Sequence, residues 1–164
     1  MTVITVNTPK GRLTLEQRRL LAQTLTDAVL VPEVGQPAPE ARIGFQVHFV
    51  GRDPDMIAIG GALLSDSFEV VDVMVVDVAV MYGAWPRETR AQAIEGILAA
   101  LADACGMPAP SPSWWVTFRV IDEGSWASAG QVLSMLQFLD ADPEHKIFPK
   151  ERADAIRAAI ATAS

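Results

Sequence analysis

One order of segments occurs twice in this chain, and it limits the fold more than any other feature. A strand, a glycine, a helix, a proline loop, a second strand and a glycine turn follow one another in both halves. Gly11 and Gly83 are 72 residues apart (83 − 11), and at that offset Glu16 meets Glu88, Arg18 meets Arg90, Leu25 meets Ile97 and Ala28 meets Ala100. Self-similarity at a fixed period is the mark of duplicated units. Each half reads as a βαβ unit, whose crossover helix makes its two strands parallel. The expected class is therefore α+β: two fused βαβ units, at about 1–67 and 68–139, joined in one four-stranded sheet that is mostly parallel within each unit. Both helices lie on one face, and residues 140–164 form a C-terminal helical extension. Parallel strands are normally buried on both faces. With no helix left for the second face, another subunit is the natural cover.

The segments follow from local chemistry. Val3 to Thr8 reads as the first strand, turned by Pro9, Lys10 and Gly11. Thr14 and Gln17, three residues apart behind Leu13, have the spacing of a capping box, and Leu21, Leu25, Ala28 and Val29 recur at helical spacing. Pro32, Gly35, Pro37 and Pro39 are expected to close that helix. Ile43, Phe45, Val47 and Phe49 alternate with Gly44, Gln46 and His48, the pattern of a strand with one apolar face. Arg42 begins that strand on this reading, and Gly60–Gly61 makes a tight turn. The run "EVVDVMVVDVAVMYG" is too long for one ordinary strand and divides into a short connector and a long strand. A helix opens at Pro86, "WWVTFRVI" is the last strand, and "DEGSWASAG" is a turn-rich loop.

Charge and composition exclude several functions. The net charge is −7, with no cluster of Lys and Arg of the kind that phosphate binding needs, so nucleic acid is not an expected partner. A single cysteine, Cys105, excludes an intrachain disulfide and a multi-cysteine metal site, and reads as a small buried hydrophobe. Two histidines, His48 and His145, give no metal pattern, and neither a metal nor a cofactor is expected. Lys10, Gly11 and Arg12 interrupt the apolar start, so no signal peptide is read there, and no uncharged run is long enough to cross a membrane. The expectation is a soluble cytoplasmic protein.

The opening "MTVITVNTPKGRLTLEQRRLLAQTLTDAV" resembles that of 4-oxalocrotonate tautomerase, where Pro follows the initiator Met ahead of a short strand, Gly-Arg and a helix bearing Glu-Gln. Gly11–Arg12 matches the Gly-Arg pair, "ARI" with Arg42 resembles the start of the second strand, and "IAIGGALLS" resembles the "GIGG" turn. "EGSWASAG" resembles the Trp-Gly-rich turn of the fused, double-length members, such as malonate semialdehyde decarboxylase and the haloacrylate dehalogenases. The chain thus resembles the tautomerase superfamily over roughly residues 1 to 135. The resemblance implies a trimeric, barrel-like assembly and chemistry at an N-terminal amine in an apolar pocket, which lowers the amine's pKa. Arginines then bind the carboxylate of a small keto or enol acid, usually with one supplied by a neighbouring subunit. On this chain they correspond to Arg12 and Arg42. Ile57 takes the place of a pocket aromatic, and Trp126 stands in the turn that walls the pocket.

The catalytic proline is missing, and Thr2 stands in its place. Three readings follow. Removal of Met1, which a small second residue generally permits, exposes a Thr2 amine with a nearby hydroxyl, able to act as a base or form a Schiff base. Retention of Met1 displaces the amine by one residue. Loss of catalysis leaves a binding or assembly protein. The implied activity is an isomerase (a keto–enol tautomerase) or a lyase, with a catalytically inactive trimer as the alternative. Plain structural roles stand beside each assignment: Arg12 as a turn cap, Arg42 as an exposed ion pair, His48 as a satisfied structural histidine, His145 as a solvated one, and Trp114, Trp115 and Trp126 as core or interface aromatics. The second unit has Ala84 opposite Arg12 and the internal Met74 opposite Thr2, so at most one site per subunit is expected.

Overall fold

The computed structural model describes residues 1–67 and 71–163. Glu69 and Val70, where the expected connector begins, lie outside them, as does the expected boundary at 67/68. Strand β1 (Thr2–Pro9) leads into helix α1 (Leu15–Val34), and β2 (Phe45–Arg52) follows. A small hairpin of β3 (Ala58–Ile59) and β4 (Ala62–Leu63) precedes β5 (Met74–Met81), α2 (Arg87–Cys105) and β6 (Trp114–Ile121). A second hairpin, β7 (Trp126–Ser128) with β8 (Gln131–Leu133), leads to α3 (Met135–Asp140) and α4 (Lys150–Ala163). The sheet order is β2-β1-β5-β6; β1 runs parallel to β2, β5 parallel to β6, and β1 antiparallel to β5. The first strands and the first helices of the two halves both start 72 residues apart (74 − 2 and 87 − 15).

Thr2, Ile4, Val6 and Thr8 alternate inward from β1, and Met74, Val76, Val78 and Val80 do so from β5. The apolar ones among them meet Leu21, Leu25 and Val29 of α1 and Ile97 and Leu101 of α2 in one core. The Thr14–Gln17 capping box forms, with the Gln17 N–H donating to Thr14 Oγ1 at 3.2 Å and the Thr14 N–H to Gln17 Oε1 at 2.9 Å. The opposite sheet face leaves His48, Trp115, Thr117 and Arg119 exposed, with no helix over them among the described residues. Trp115 is 68% exposed there.

Several local expectations are corrected. Helix α1 does not close at Pro32 but runs through it to Val34, with Gly35 in the left-handed region at φ 89° as its cap. A mid-helix proline costs about 3 kcal/mol, and burial of Leu30 and Val34 in a second core offsets that cost. Ile43 and Arg42 are not in a strand. They lie on a short 3-10 helix, Pro39–Gly44, started by Pro39, and Ile43 is 93% exposed. "DEGSWASAG" is not all loop, since Trp126 pairs with Leu133 across β7–β8. His145 is not simply solvated: its Nδ1 lies 3.1 Å from the Phe148 carbonyl oxygen. Cys105 is half-buried rather than buried.

The second core sits at the end of the sheet where β1 begins. Leu30, Val34, Met81, Leu133, Met135 and Leu139 meet Phe148, Ala153, Ile156 and Ile160 there. The C-terminal extension therefore folds back onto its own chain. Asp142 organises the approach, accepting from the N–H groups of Lys146, Ile147 and Phe148 at 2.8–2.9 Å. Burial pushes its carboxyl up, but those three donors outweigh burial and hold it below the usual carboxylate range.

Candidate active site

Helix α1 runs back along β1, so its last turn arrives over the strand's first residue. That turn carries Glu33, which is 4% exposed. The Thr2 hydroxyl donates to Glu33 Oε2 at 3.1 Å. Glu33 Oε1 has no hydrogen-bond donor among the described residues, and the Met1 ammonium lies 3.8 Å from it. Arg152 of α4 donates through Nε to the Glu33 backbone carbonyl at 2.8 Å, filling one of the acceptors that a helix end leaves open. Burial raises the Glu33 carboxyl pKa. The terminal ammonium, the Thr2 hydrogen bond and the Arg152 charge oppose that rise without cancelling it.

Two hollows flank Met1. The larger, about 570 Å³, has Val34, Phe45, Met135, Phe138 and Phe148 among its walls and Glu33 on its lining. The smaller, about 210 Å³, is lined by Thr2, Val3, Gln46, Trp126, Ala127 and Ser128. Met1 and Gly44 line both, so Met1 forms the partition between them. Gly44 permits this close approach: a Cβ there would come within 3.3 Å of Met1 Sδ.

Of the residues singled out from sequence, Thr2 and Trp126 come together at the smaller hollow. Arg42 lies on the flank of the same end. Its guanidinium donates to Asp27 on α1 and to the Gln23 carbonyl, and it lines neither hollow. Arg12 follows the far end of β1, whose last residue, Pro9, is roughly 23 Å from Thr2 at about 3.3 Å per residue. There it makes a two-pronged pair with Asp72, Nε to Oδ1 at 2.6 Å and Nη2 to Oδ2 at 2.8 Å. The Arg12 bond holds the Asp72 carboxyl below its ordinary range despite partial burial. Ile57 lies beyond the far end of β2, also away from Thr2 in the same subunit. Among the described residues, no group of three or more His, Cys, Asp or Glu could hold a metal ion.

Glu33 was missed in the sequence, where "VPEVG" reads as a helix-closing proline segment. The available signal was spacing: Glu33 continues the buried series Thr26, Val29 and Leu30, so an acid occupies an apolar helix face. Such a residue is seldom buried without a partner.

No protein-family model matches the chain, and no curated protein matches its sequence. Solved structures match its fold. Q0, a wild-type fused 4-OT that forms a symmetric trimer, aligns at TM-score 0.63 and 20% identity over 82% of this chain and 96% of its own. N1, of the cis-3-chloroacrylic acid dehalogenase family, aligns at TM-score 0.64 and 18% identity over 93% and 99%. Macrophage migration inhibitory factor from Toxoplasma gondii aligns at TM-score 0.56 and 17% identity over 80% and 99%. The chain has the fold of these proteins. Among the described residues, no helix is long and apolar enough to cross a membrane.

Proposed function

We propose that this chain is a tautomerase-superfamily protein: a homotrimer that moves a proton within a small keto or enol carboxylic acid at the amino end of β1, without metal or cofactor. The observation that carries the reading is the placement of the terminal amine. Its residue, Met1, lines two hollows, and the amine lies 3.8 Å from a buried carboxylate, on a fold shared with fused 4-OT and with a cis-3-chloroacrylic acid dehalogenase relative. In its unprotonated form the amine takes a proton from the substrate carbon and returns it elsewhere on the same skeleton. Excision of Met1 would make the Thr2 nitrogen that amine and join its surroundings to the larger hollow. Trp126 then serves as a substrate wall. Arg42, on the flank of that end, clamps the carboxylate once it is released from Asp27, while Arg12 and Ile57, remote within one subunit, serve the site of a neighbouring copy. The open sheet face, with exposed Trp115, is where that neighbour packs.

Turnover of phenylenolpyruvate and 2-hydroxymuconate, followed by ultraviolet absorbance alongside intact-mass determination of the N-terminus, tests this reading. A rate above buffer is expected, and it rises with the fraction of chains lacking Met1. No rate from Met1-free trimer sinks it. One observation favours a second reading, that of a catalytically inactive assembly protein. Both arginines already have carboxylate partners, Asp72 and Asp27. A Thr2→Pro variant that gains activity would show the site still competent and count against that alternative.

A further inference from the structure

In a proton shift within a keto or enol acid, the oxygen carries the charge while the proton is on the amine. Donors must be waiting for that oxygen, and neither the amine nor an arginine on the carboxylate supplies them. The two hollows beside Met1 differ in what they offer. The larger is lined by Glu33, Glu40 and Asp142, and its one lysine, Lys146, is paired with Glu144 at 2.6 Å. A developing negative charge is disfavoured there. The smaller hollow has no acid on its lining. Met1 and Thr2 both line it, so the residue bearing the terminal amine borders it whether or not Met1 is excised.

Two side chains on the smaller hollow can serve that oxygen. Gln46 lies on β2, beside Val3 of β1 on the uncovered sheet face. Its Oε1 is 3.1 Å from His48 Nε2, a contact in which the ring N–H donates and the amide N–H2 is left free. Ser128 ends β7, two residues after Trp126, so both side chains leave that strand on one face. Its register opposite Gln131 is set by a two-residue turn in which Ala129 holds φ 51°, a left-handed position that few non-glycine residues take. Gln46 and Ser128 are both exposed. Among the described residues, neither the Gln46 amide N–H2 nor the Ser128 hydroxyl has a hydrogen-bond partner. A space of about 210 Å³ is small enough that one small acid filling it meets both side chains.

We propose that the smaller hollow is an oxyanion site, in which Gln46 Nε2 and Ser128 Oγ donate to the keto oxygen of a small 2-keto acid as it becomes an enolate. This step rests on the proposed function. The unprotonated amine takes the α-proton, the C–H electron pair forms the C=C bond, and the carbonyl pair moves onto oxygen. Gln46 and Ser128 hold that oxygen without giving up their own protons. The ammonium then returns its proton, to the oxygen for the enol or to a conjugated carbon for the isomeric ketone, and the amine is restored. No other reactant is needed.

Oxalate, a planar mimic of the enolate of a 2-keto acid, is the probe. Titration calorimetry on the native full chain is expected to show binding, and Gln46→Met and Ser128→Ala are each expected to weaken it about tenfold or more. Both residues are exposed, so thermal melts of the two variants are expected to match that of native protein. Glu40→Gln changes the lining of the larger hollow and not of the smaller, and is expected to leave oxalate affinity unchanged. No binding by native protein, or equal affinity in native, Gln46→Met and Ser128→Ala, overturns the proposal. Kinetics separate it from the function on which it rests. With 2-hydroxymuconate, each of these two variants is expected to lower kcat about 100-fold or more and to move KM little, since the oxygen gains its charge only on the way to the enolate. Turnover that survives both changes overturns the inference and leaves the function standing. Loss of oxalate affinity in both variants, with no turnover by native protein, sinks the function and leaves the oxyanion site.

Discussion

Replacing Thr2 by Val tests whether the amino end of β1 is held by Glu33. The two side chains are close in volume and both suit a strand, so packing changes little. What disappears is the O–H donor to a buried carboxylate at 3.1 Å. Hydrogen bonds to charged groups contribute about 1.5–3 kcal/mol, against about 1 kcal/mol for a neutral pair. The Thr2 bond lowers the Glu33 pKa against the larger effect of burial, which raises it. A carboxyl whose folded pKa lies above its unfolded value, about 4.3, loses stability as pH rises through the folded value. Thr2→Val lifts that folded value further, so its deficit against native protein widens with pH. Thermal melts followed by circular dichroism are expected to show a loss of about 1 kcal/mol near pH 4, growing to about 1.5–3 kcal/mol in mild alkali. The larger loss corresponds to a Tm lower by about 3–12 °C for a domain of this size. Thr8→Val is the matched control on the same strand face. Thr8 Oγ1 is buried with no hydrogen-bond partner among the described residues, so this change is expected to be neutral or stabilising. Equal losses for the two variants, or a Thr2→Val deficit flat across pH, would refute the reasoning.

Asp72→Asn is expected to cost about 1–3 kcal/mol in urea unfolding at neutral pH, because it leaves a charged Arg12 fork without its carboxylate. Since the folded Asp72 pKa is depressed, the native protein keeps this contribution above the ordinary aspartate range, near pH 3.9, and loses it as pH falls through the folded value; the variant lacks that acid-side loss. Arg152→Met should cost about 1–2 kcal/mol by freeing the Glu33 backbone carbonyl. It should also raise the Glu33 pKa, because the Arg152 charge lowers it, and carbon-13 titration of the Glu33 carboxyl checks that direction.

The parts of the fold written in local chemistry were legible. The Thr14–Gln17 box set the start of α1 to the residue, and the 72-residue offset anticipated the starts of β5 and α2. Parallel strands within each unit followed from the length of the crossovers. Where tertiary packing outweighed a local signal, reading failed. Pro32 announces a helix end, but Leu30 and Val34 gain a second core by continuing. Ile43 continues an alternating pattern on paper, but Pro39 winds its segment into a turn and leaves it in solvent. The resemblance drew attention to Thr2 and Trp126, which do meet at one hollow. Glu33 stayed hidden because its partner is a strand 31 residues away in sequence, and no local rule connects an acid in a helix's last turn to the chain's first residues.

The shared wall formed by Met1 has a practical consequence. Excision of the initiator residue is the work of a host enzyme, and it competes with the folding that packs Met1 beside Gly44 and ties its carbonyl to the Met81 N–H at 3.1 Å. One gene expressed in two hosts, or at two rates, would yield two populations that differ at this end of β1: one with Met1 lining both hollows, the other without it and with a new terminal nitrogen. On the proposed function, the ligand range of a preparation is then partly a record of its maturation, and intact mass at residue 1 is the control that separates such heterogeneity from cooperativity in a two-component binding isotherm.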